Sequence, residues 1–203
     1  MNGFLDKAYT QPADGDTRQL YATWAETYEQ ELTQAGYATP GRIATVLAER
    51  LANRAAPILD YGCGTGLGGQ ALAQAGFTTI DGLDVSPEML GVAREKSIYR
   101  NLVLADPEDG APALPDSYAA ITAIGVIGIG AAPPAVFDQI MQILPQGAIC
   151  VLSINDHSLA DPGYAGRIGD WLDCGAARLL AREHGPHIPA RDLCATVFVL
   201  EKP

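Results

Sequence analysis

The stretch that most restricts what this chain can become is "PILDYGCGTGLGGQALAQAG", Pro57 to Gly76. It opens as a short apolar strand and passes through five glycines, at positions 62, 64, 66, 68 and 69. It then carries apolar residues at helical spacing up to a closing glycine. A strand that turns through glycine straight into a helix is the first half of a βαβ unit, and the crossover helix obliges the next strand to run parallel. The alternation continues: "FTTIDGLDV", "NLVLAD", "YAAITAIGV" and "GAICVLSIND" read as strands. "SPEMLGVAREK", with a Ser cap and a first-turn Pro, reads as a helix, as do "PPAVFDQIMQIL" and "YAGRIGDWLDCG". "ARLLAREHG" and "CATVFVLEK" are strands whose connection is too short for a crossover, so they pair antiparallel. The expected class is α/β: a doubly wound, seven-stranded, mostly parallel sheet with an antiparallel C-terminal hairpin, preceded by N-terminal helices. One of these runs over Thr17–Gly36 and sets Leu20, Tyr21, Trp24, Tyr28 and Leu32 on a single face. The other runs over Gly41–Asn53, with Pro40 at its start, and presents Ile43, Val46, Leu47 and Leu51. With 203 residues and no linker, a single domain over 1–203 is expected, residues 1–55 a helical cap and 56–203 the core, with "DPEDGAPALPDS" a surface loop.

Charge then narrows the partners. Thirteen basic residues against 24 acidic give a net charge of −11 with no Lys/Arg cluster, which argues against nucleic acid as a partner. No apolar run is long enough to span a bilayer, and the N-terminus lacks a basic-then-apolar signal pattern, so the expected location is cytoplasmic, away from membranes. Cys63, Cys150, Cys174 and Cys194 have no CxxC spacing and are expected to be reduced thiols.

In an open parallel sheet the ligand binds beyond the carboxyl ends of the strands, where "DYGCGTG" falls. Gly62, Gly64 and Gly66 admit positive φ and let backbone touch a ligand with no Cβ between them. Asp60 stands ready to accept bonds from a cationic group, and Asp84, at the tip of the second strand, to accept both ribose hydroxyls of a nucleoside. Asp81 competes with Asp84 but falls within the strand; Asp106 closes the third strand within reach of an adenine edge. A dinucleotide fingerprint wants a small residue at the sixth place from Gly62, which here is Leu67.

The pattern Asp60-x-Gly62-x-Gly64-x-Gly66 resembles the first motif of the class I S-adenosylmethionine-dependent methyltransferases, and "GLDVSPEMLGVAREK", "LVLAD", "IGVIG" and "ILPQGAICVLSI" follow that family's order. "YATWAETYEQEL", "GYATP" and "KSIYRNL" look most like the methyltransferase-like group related to the Williams–Beuren syndrome region protein. The resemblance implies a Rossmann-like methyltransferase fold with S-adenosyl-L-methionine as cofactor. It implies that Asp60, Cys63 and the loop backbone hold the methionine part, Asp84 the ribose, Val85 and Met89 the adenine faces, and Asp106 the adenine edge. Backbone at Ile124 and Gly125 would complete the amino-acid pocket. Two departures stand out: Ala119 and Ala120 follow Tyr118 where the family usually places an acid, and "LPQGA" keeps only Gly147 of the usual Lys-Pro-Gly-Gly turn.

Tyr21, Trp24 and Tyr28 carry polar handles on one helical face, which suits a lid over the cofactor as well as a helix stapled to the core. His157, in "NDHS" after the fifth strand, is the one weak candidate for a general base. "GVIGIGAAPP" offers no other. His184 and His187, three apart with no acid or cysteine in register, fall short of a metal signature, and no metal is expected. The expected function is methyl transfer to a small-molecule acceptor by in-line displacement, with positioning supplying most of the acceleration. The alternative is a non-catalytic protein that binds S-adenosylmethionine or S-adenosylhomocysteine.

Overall fold

The computed structural model describes residues 29–106 and 117–203. Seven strands form one sheet in the order β3-β2-β1-β4-β5-β7-β6. They are β1 (Ile58–Tyr61), β2 (Ile80–Asp84), β3 (Asn101–Leu104), β4 (Ala120–Ala123), β5 (Ile149–Asn155), β6 (Arg178–Ile188) and β7 (Leu193–Glu201). The first five pair in parallel; β7 runs antiparallel to both β5 and β6. The strand order reverses between β1 and β4, which sets the ligand edge at the loops after β1, β2 and β4.

Alternation along the strands builds two cores. Leu59, Tyr61, Ile121, Leu152 and Phe198 face one side, against Phe137, Ile140 and Met141 of α4 (Ala135–Ile143) and Ile168 of α6 (Pro162–Asp173). Ile58, Ala120, Val151, Val197 and Val199 face the other, against Ile43 and Leu47 of α1 (Thr39–Arg50) and Leu72 of α2 (Leu67–Gln74). Ile43, Leu47, Ile58 and Leu72 are each 0% exposed. At about 25 cal/mol per Å² of buried apolar surface, each is worth roughly 1.5–3 kcal/mol. The helix assigned from sequence to a cap is thus a full member of the core on the α2 side.

Local chemistry sets the helix ends. Ser86 accepts from the Met89 amide at 3.2 Å and Pro87 opens α3 (Pro87–Glu95), as the sequence leads one to expect. Asp161 caps α6, and Lys202 Nζ donates to the carbonyls of Met141, Gln142 and Leu144 at the end of α4. Two features differ from the sequence reading. A short helix, α5 (Asp156–Leu159), follows β5 directly, because Asn155 Oδ1 accepts from the Ser158 amide at 2.8 Å. β6 runs on through Pro186 to Ile188, a Pro that an edge strand tolerates. Residues 29–34 are helical; the rest of the expected front helix, and residues 107–116 of the expected surface loop, lie outside the described residues.

Candidate functional site

The chain leaves β1 at Tyr61 and is strapped at once to β2: the amides of Gly62 and Cys63 both donate to Leu83 O, at 2.7 and 2.9 Å. Gly62, Gly64 and Gly66 have φ of +70°, +53° and +95°, where a side chain is strained. A Cβ on Gly62 would also stand 2.5 Å from Val126 Cγ2. The loop is therefore bare backbone by requirement, and α2 starts from it with Gly66 as its cap. Thr65, between the last two glycines, is 1% exposed, and its Oγ1 has no hydrogen-bond partner among the described residues. A buried hydroxyl left unmatched costs about 1–3 kcal/mol, so a polar ligand against this loop has something to satisfy.

Asp84 closes β2 beside that loop. Its Oδ2 accepts from the Gly64 amide at 2.7 Å and its Oδ1 from the Ser86 amide at 2.9 Å. Burial pushes its carboxyl up, against the opposing pull of these amides. Asp81, its rival in the sequence, stands at the other end of β2 and is bound by Arg100, Asn101 and the Tyr118 hydroxyl. Burial raises the Asp81 carboxyl, but those donors outweigh it and leave it below the ordinary carboxylate range.

Asp60 has a different place from the one expected of it. Set against a ligand cation by sequence, it is 1% exposed, and its two oxygens accept from the hydroxyls of Tyr99 (2.8 Å) and Thr122 (3.0 Å). The reason is its position on β1: it follows Ile58 by two residues and shares that buried face. Burial pushes its carboxyl up to about 6, with the two hydroxyls opposing. Tyr99 in turn accepts from the Gly69 amide at 3.1 Å, so one chain of bonds runs from the first turn of α2 through Tyr99 to Asp60. Cβ atoms on Gly68 or Gly69 would stand 2.8 Å from Asp60 Oδ2 or 2.4 Å from Tyr99 Cζ. Tyr99, Thr122 and these two glycines are the support that sequence reading did not assign. The signal for the glycines was present in "GLGG"; for Tyr99 only "KSIYRNL" pointed there.

The other expected residues divide by exposure. Val85 is 38% exposed at the edge, whereas Met89 is 2% exposed, because three residues past the cap falls on the inward face of α3. Cys63 is buried, and burial drives its thiol up. Asp106 is exposed, two residues past the end of β3. After β4, Gly125 has φ +70°, its amide donates to Ser153 Oγ at 2.9 Å, and a Cβ there would stand 2.5 Å from the Tyr37 hydroxyl. Ile124 follows β4 directly, its Cδ1 2.9 Å from where a Gly68 Cβ would be. His157 is exposed in α5. Tyr21, Trp24 and Tyr28 lie outside the described residues; Glu29, just beyond them, pairs with Lys96 at 2.9 Å, and Lys96 covers Gly66. His187 is buried and bonded to Thr39 Oγ1 at 2.7 Å, while His184 bonds Asp156.

Residues 27–197 match the family described as Methyltransferase domain. The chain is 28% identical to human methyltransferase-like protein 27 over 142 residues, 68% of this chain and 58% of that protein. It is 40% identical to the 18S rRNA (guanine(1575)-N(7))-methyltransferase of Saccharomyces cerevisiae over 70 residues, 34% of this chain and 26% of that one. It is 32% identical to the ubiquinone biosynthesis O-methyltransferase of Xanthomonas campestris over 111 residues, 53% and 46% of the two chains. The chain thus spans less than two thirds of each of these relatives. In structure it resembles magnesium protoporphyrin IX methyltransferase from Synechocystis with bound S-adenosylmethionine, TM-score 0.59 at 16% identity, covering 98% of this chain and 90% of that one.

Proposed function

The chain belongs to the methyltransferase-domain family, the S-adenosylmethionine-dependent enzymes of class I fold, and from that premise we propose that it methylates a small-molecule acceptor. The observation that carries the reading is the bare Gly62–Gly66 loop joined to Asp84 through the Gly64 amide, with the unmatched Thr65 hydroxyl inside it. These residues fit a nucleoside that carries an amino-acid tail. In this proposal the loop backbone and Gly125 receive the methionine part, and Asp84 accepts the ribose hydroxyls. Val85 offers the adenine face and Asp106 the adenine edge, and backbone at Ile124 completes the amino-acid pocket beside Gly125. Asp60 acts as a positioning residue, holding Tyr99 and through it the start of α2. Cys63 and Met89 pack beneath. Tyr21, Trp24 and Tyr28 complete the pocket as part of an N-terminal segment over residues 1–55, in a single domain.

When bound, S-adenosylmethionine supplies a methyl group on a sulfonium, ready for in-line displacement. The chain's part is to orient it, exclude water and admit an acceptor along the displacement axis. His157 is the candidate base, on the exposed side of α5.

A small acceptor is favoured over RNA by the net charge of −11 without a basic cluster, which repels a phosphate backbone. The similarity to a ubiquinone-pathway O-methyltransferase points the same way, and the similarity to rRNA guanine methyltransferases points the other. The placing with the Williams–Beuren-related group rests on "YATWAETYEQEL", "GYATP" and "KSIYRNL" alone; the 28% identity to methyltransferase-like protein 27 supports the broader methyltransferase-like reading. Calorimetry with S-adenosylmethionine and S-adenosylhomocysteine, followed by assays of S-adenosylhomocysteine release with small nucleophiles and with rRNA, tests the proposal. Binding with turnover on a small acceptor is the expected result. Turnover on rRNA alone would overturn the acceptor assignment, and binding without any turnover would make the protein a cofactor binder.

A further inference from the structure

Away from the glycine loop, the Asp156 carboxylate, a His184 ring nitrogen and Cys194 Sγ lie within 4.8 Å of one another. We propose that these three side chains form a binding site for a divalent transition cation of the zinc class, with water in the fourth position. The proposal goes beyond methyl transfer and does not rest on it.

Register explains why three residues so far apart in sequence meet. Asn155 pairs with Ala195 at the last rung between β5 and β7, and Asp156, which opens α5, follows it close to Cys194. His184 of β6 pairs with Thr196, two residues along β7 from Cys194 and therefore on the same face. Diagonal neighbours on one face are within side-chain reach, and here the reach takes in β6, β7 and the first residue of α5, where the chain leaves β5. The acid and the cysteine that His184 lacks in its own segment thus arrive from the start of α5 and from β7.

The ligand set and spacing suit zinc. His184 Nε2 stands 2.9 and 3.0 Å from the two Asp156 oxygens. Nitrogen and oxygen ligands held about 2.0–2.2 Å from a tetrahedral zinc are roughly 3.3 Å apart, so this pair already has nearly that edge length. Cys194 Sγ, within 4.8 Å of both partners, is the third donor. Mixed carboxylate, imidazole and thiolate donors select a borderline-soft cation and disfavour magnesium and calcium, which take oxygen. Three protein ligands leave an open position, as in zinc sites that bind water or substrate. The side chains of His184 and Asp156 are 57% and 48% exposed, so cation and water both reach them. On binding, the Cys194 sulfur–hydrogen bond breaks, a sulfur–metal bond forms, and the proton goes to solvent.

The test uses the full chain freed of metal and titrated with Co²⁺, then with Zn²⁺. The expected result is one equivalent of Co²⁺ bound, with a thiolate-to-cobalt charge-transfer band that Zn²⁺ abolishes. Cys194→Ser should remove the band and Cys174→Ser should keep it. His184→Ala and Asp156→Asn should each weaken Zn²⁺ binding by at least about tenfold, the scale on which even an outer-shell partner acts. Far-ultraviolet circular dichroism on each variant checks that the sheet is intact. No band from the parent chain, a band that survives Cys194→Ser, or Zn²⁺ affinity unchanged in both other folded variants would overturn the site.

Discussion

The carboxyl edge of the sheet is finished in two unlike ways. On the β1–β2 side, glycines held at positive φ or, like Gly62, Gly68 and Gly69, without room for a side chain carry a loop whose Gly64 amide is matched to Asp84, and Asp60 is sealed beneath it. On the β5–β7–β6 side the finish is an antiparallel hairpin beside the short helix α5, and polar side chains of both, His184 of the hairpin and Asp156 of α5, stand in solvent. The first is a site made by consecutive residues under steric compulsion. The second is an assembly of residues that only the strand register brings together. A substitution should therefore be felt heavily on one side and lightly on the other.

Gly69→Ala gives the largest expected effect. The new methyl meets Tyr99 at 2.4 Å, and displacing Tyr99 strips the buried Asp60 of a donor. Overpacking together with an unmatched buried acid should cost about 3 kcal/mol or more. Gly175→Ala, at φ +74° after α6 with nothing within 4 Å of the new atom, should cost only about 1–2 kcal/mol. Urea denaturation of the two variants decides; equal losses would erase the contrast.

Next in size is a pH effect of opposite sign on the two sides. Asp60 rises from an ordinary 3.8 to about 6, through burial first and then the nearby Asp84, so its folded form holds a proton that the unfolded chain gives up. Stability from this group is greatest at low pH and falls as pH rises from about 4 to about 6, by roughly 3 kcal/mol at about 1.4 kcal/mol per pH unit. His187 falls from 6.5 to about 4, through burial first, with Arg42 adding and Asp156 opposing. Its contribution is present above about 6.5 and is lost, on a similar scale, as pH falls toward about 4. In the parent the two nearly offset. Asp60→Asn should unmask a steep loss of stability between pH 6 and 4, and His187→Gln the reverse slope, both read from urea midpoints across that range.

Asp84→Ala comes third. It removes the acceptor of the Gly64 amide and, in the proposed site, of the ribose, so S-adenosylmethionine affinity by calorimetry should fall about tenfold or more. Parent-like affinity would detach Asp84 from the cofactor. Smallest is Arg178→Ala, which removes an ion pair to Glu201 from a side chain that is 66% exposed. Less than about 1 kcal/mol should follow in the same urea experiment.

Most of the fold was legible because its signals are local: the glycine after β1, the Ser86 cap and Pro87, and the short connection of the closing hairpin. The glycines' place in the loop and the places of Asp84 at the tip of β2 and Asp81 near its base were legible for the same reason, since position along a strand tells the tip from the base. The fate of Asp60 was not, because the same two-residue alternation that puts it near the edge also puts it on the buried face of β1, and its donors Tyr99 and Thr122 come from 39 and 62 residues away. Nor was the Asp156–His184–Cys194 group, whose members are set by pairings across β5, β7 and β6 that no spacing along the chain encodes.

The placement of β7 between β5 and β6 also has a meaning in time. The ribosome completes β6 first, yet the sheet has no ladder for it until β7, the next strand made, has docked on β5. Even after β7 docks, β6 remains the outermost strand, with Leu179 and Leu180 exposed on it, an edge open to a further strand. The 3-10 turn over Pro189–Arg191 keeps the two strands neighbours along the chain, so the edge strand is laid down by a local reversal as soon as its partner is in place.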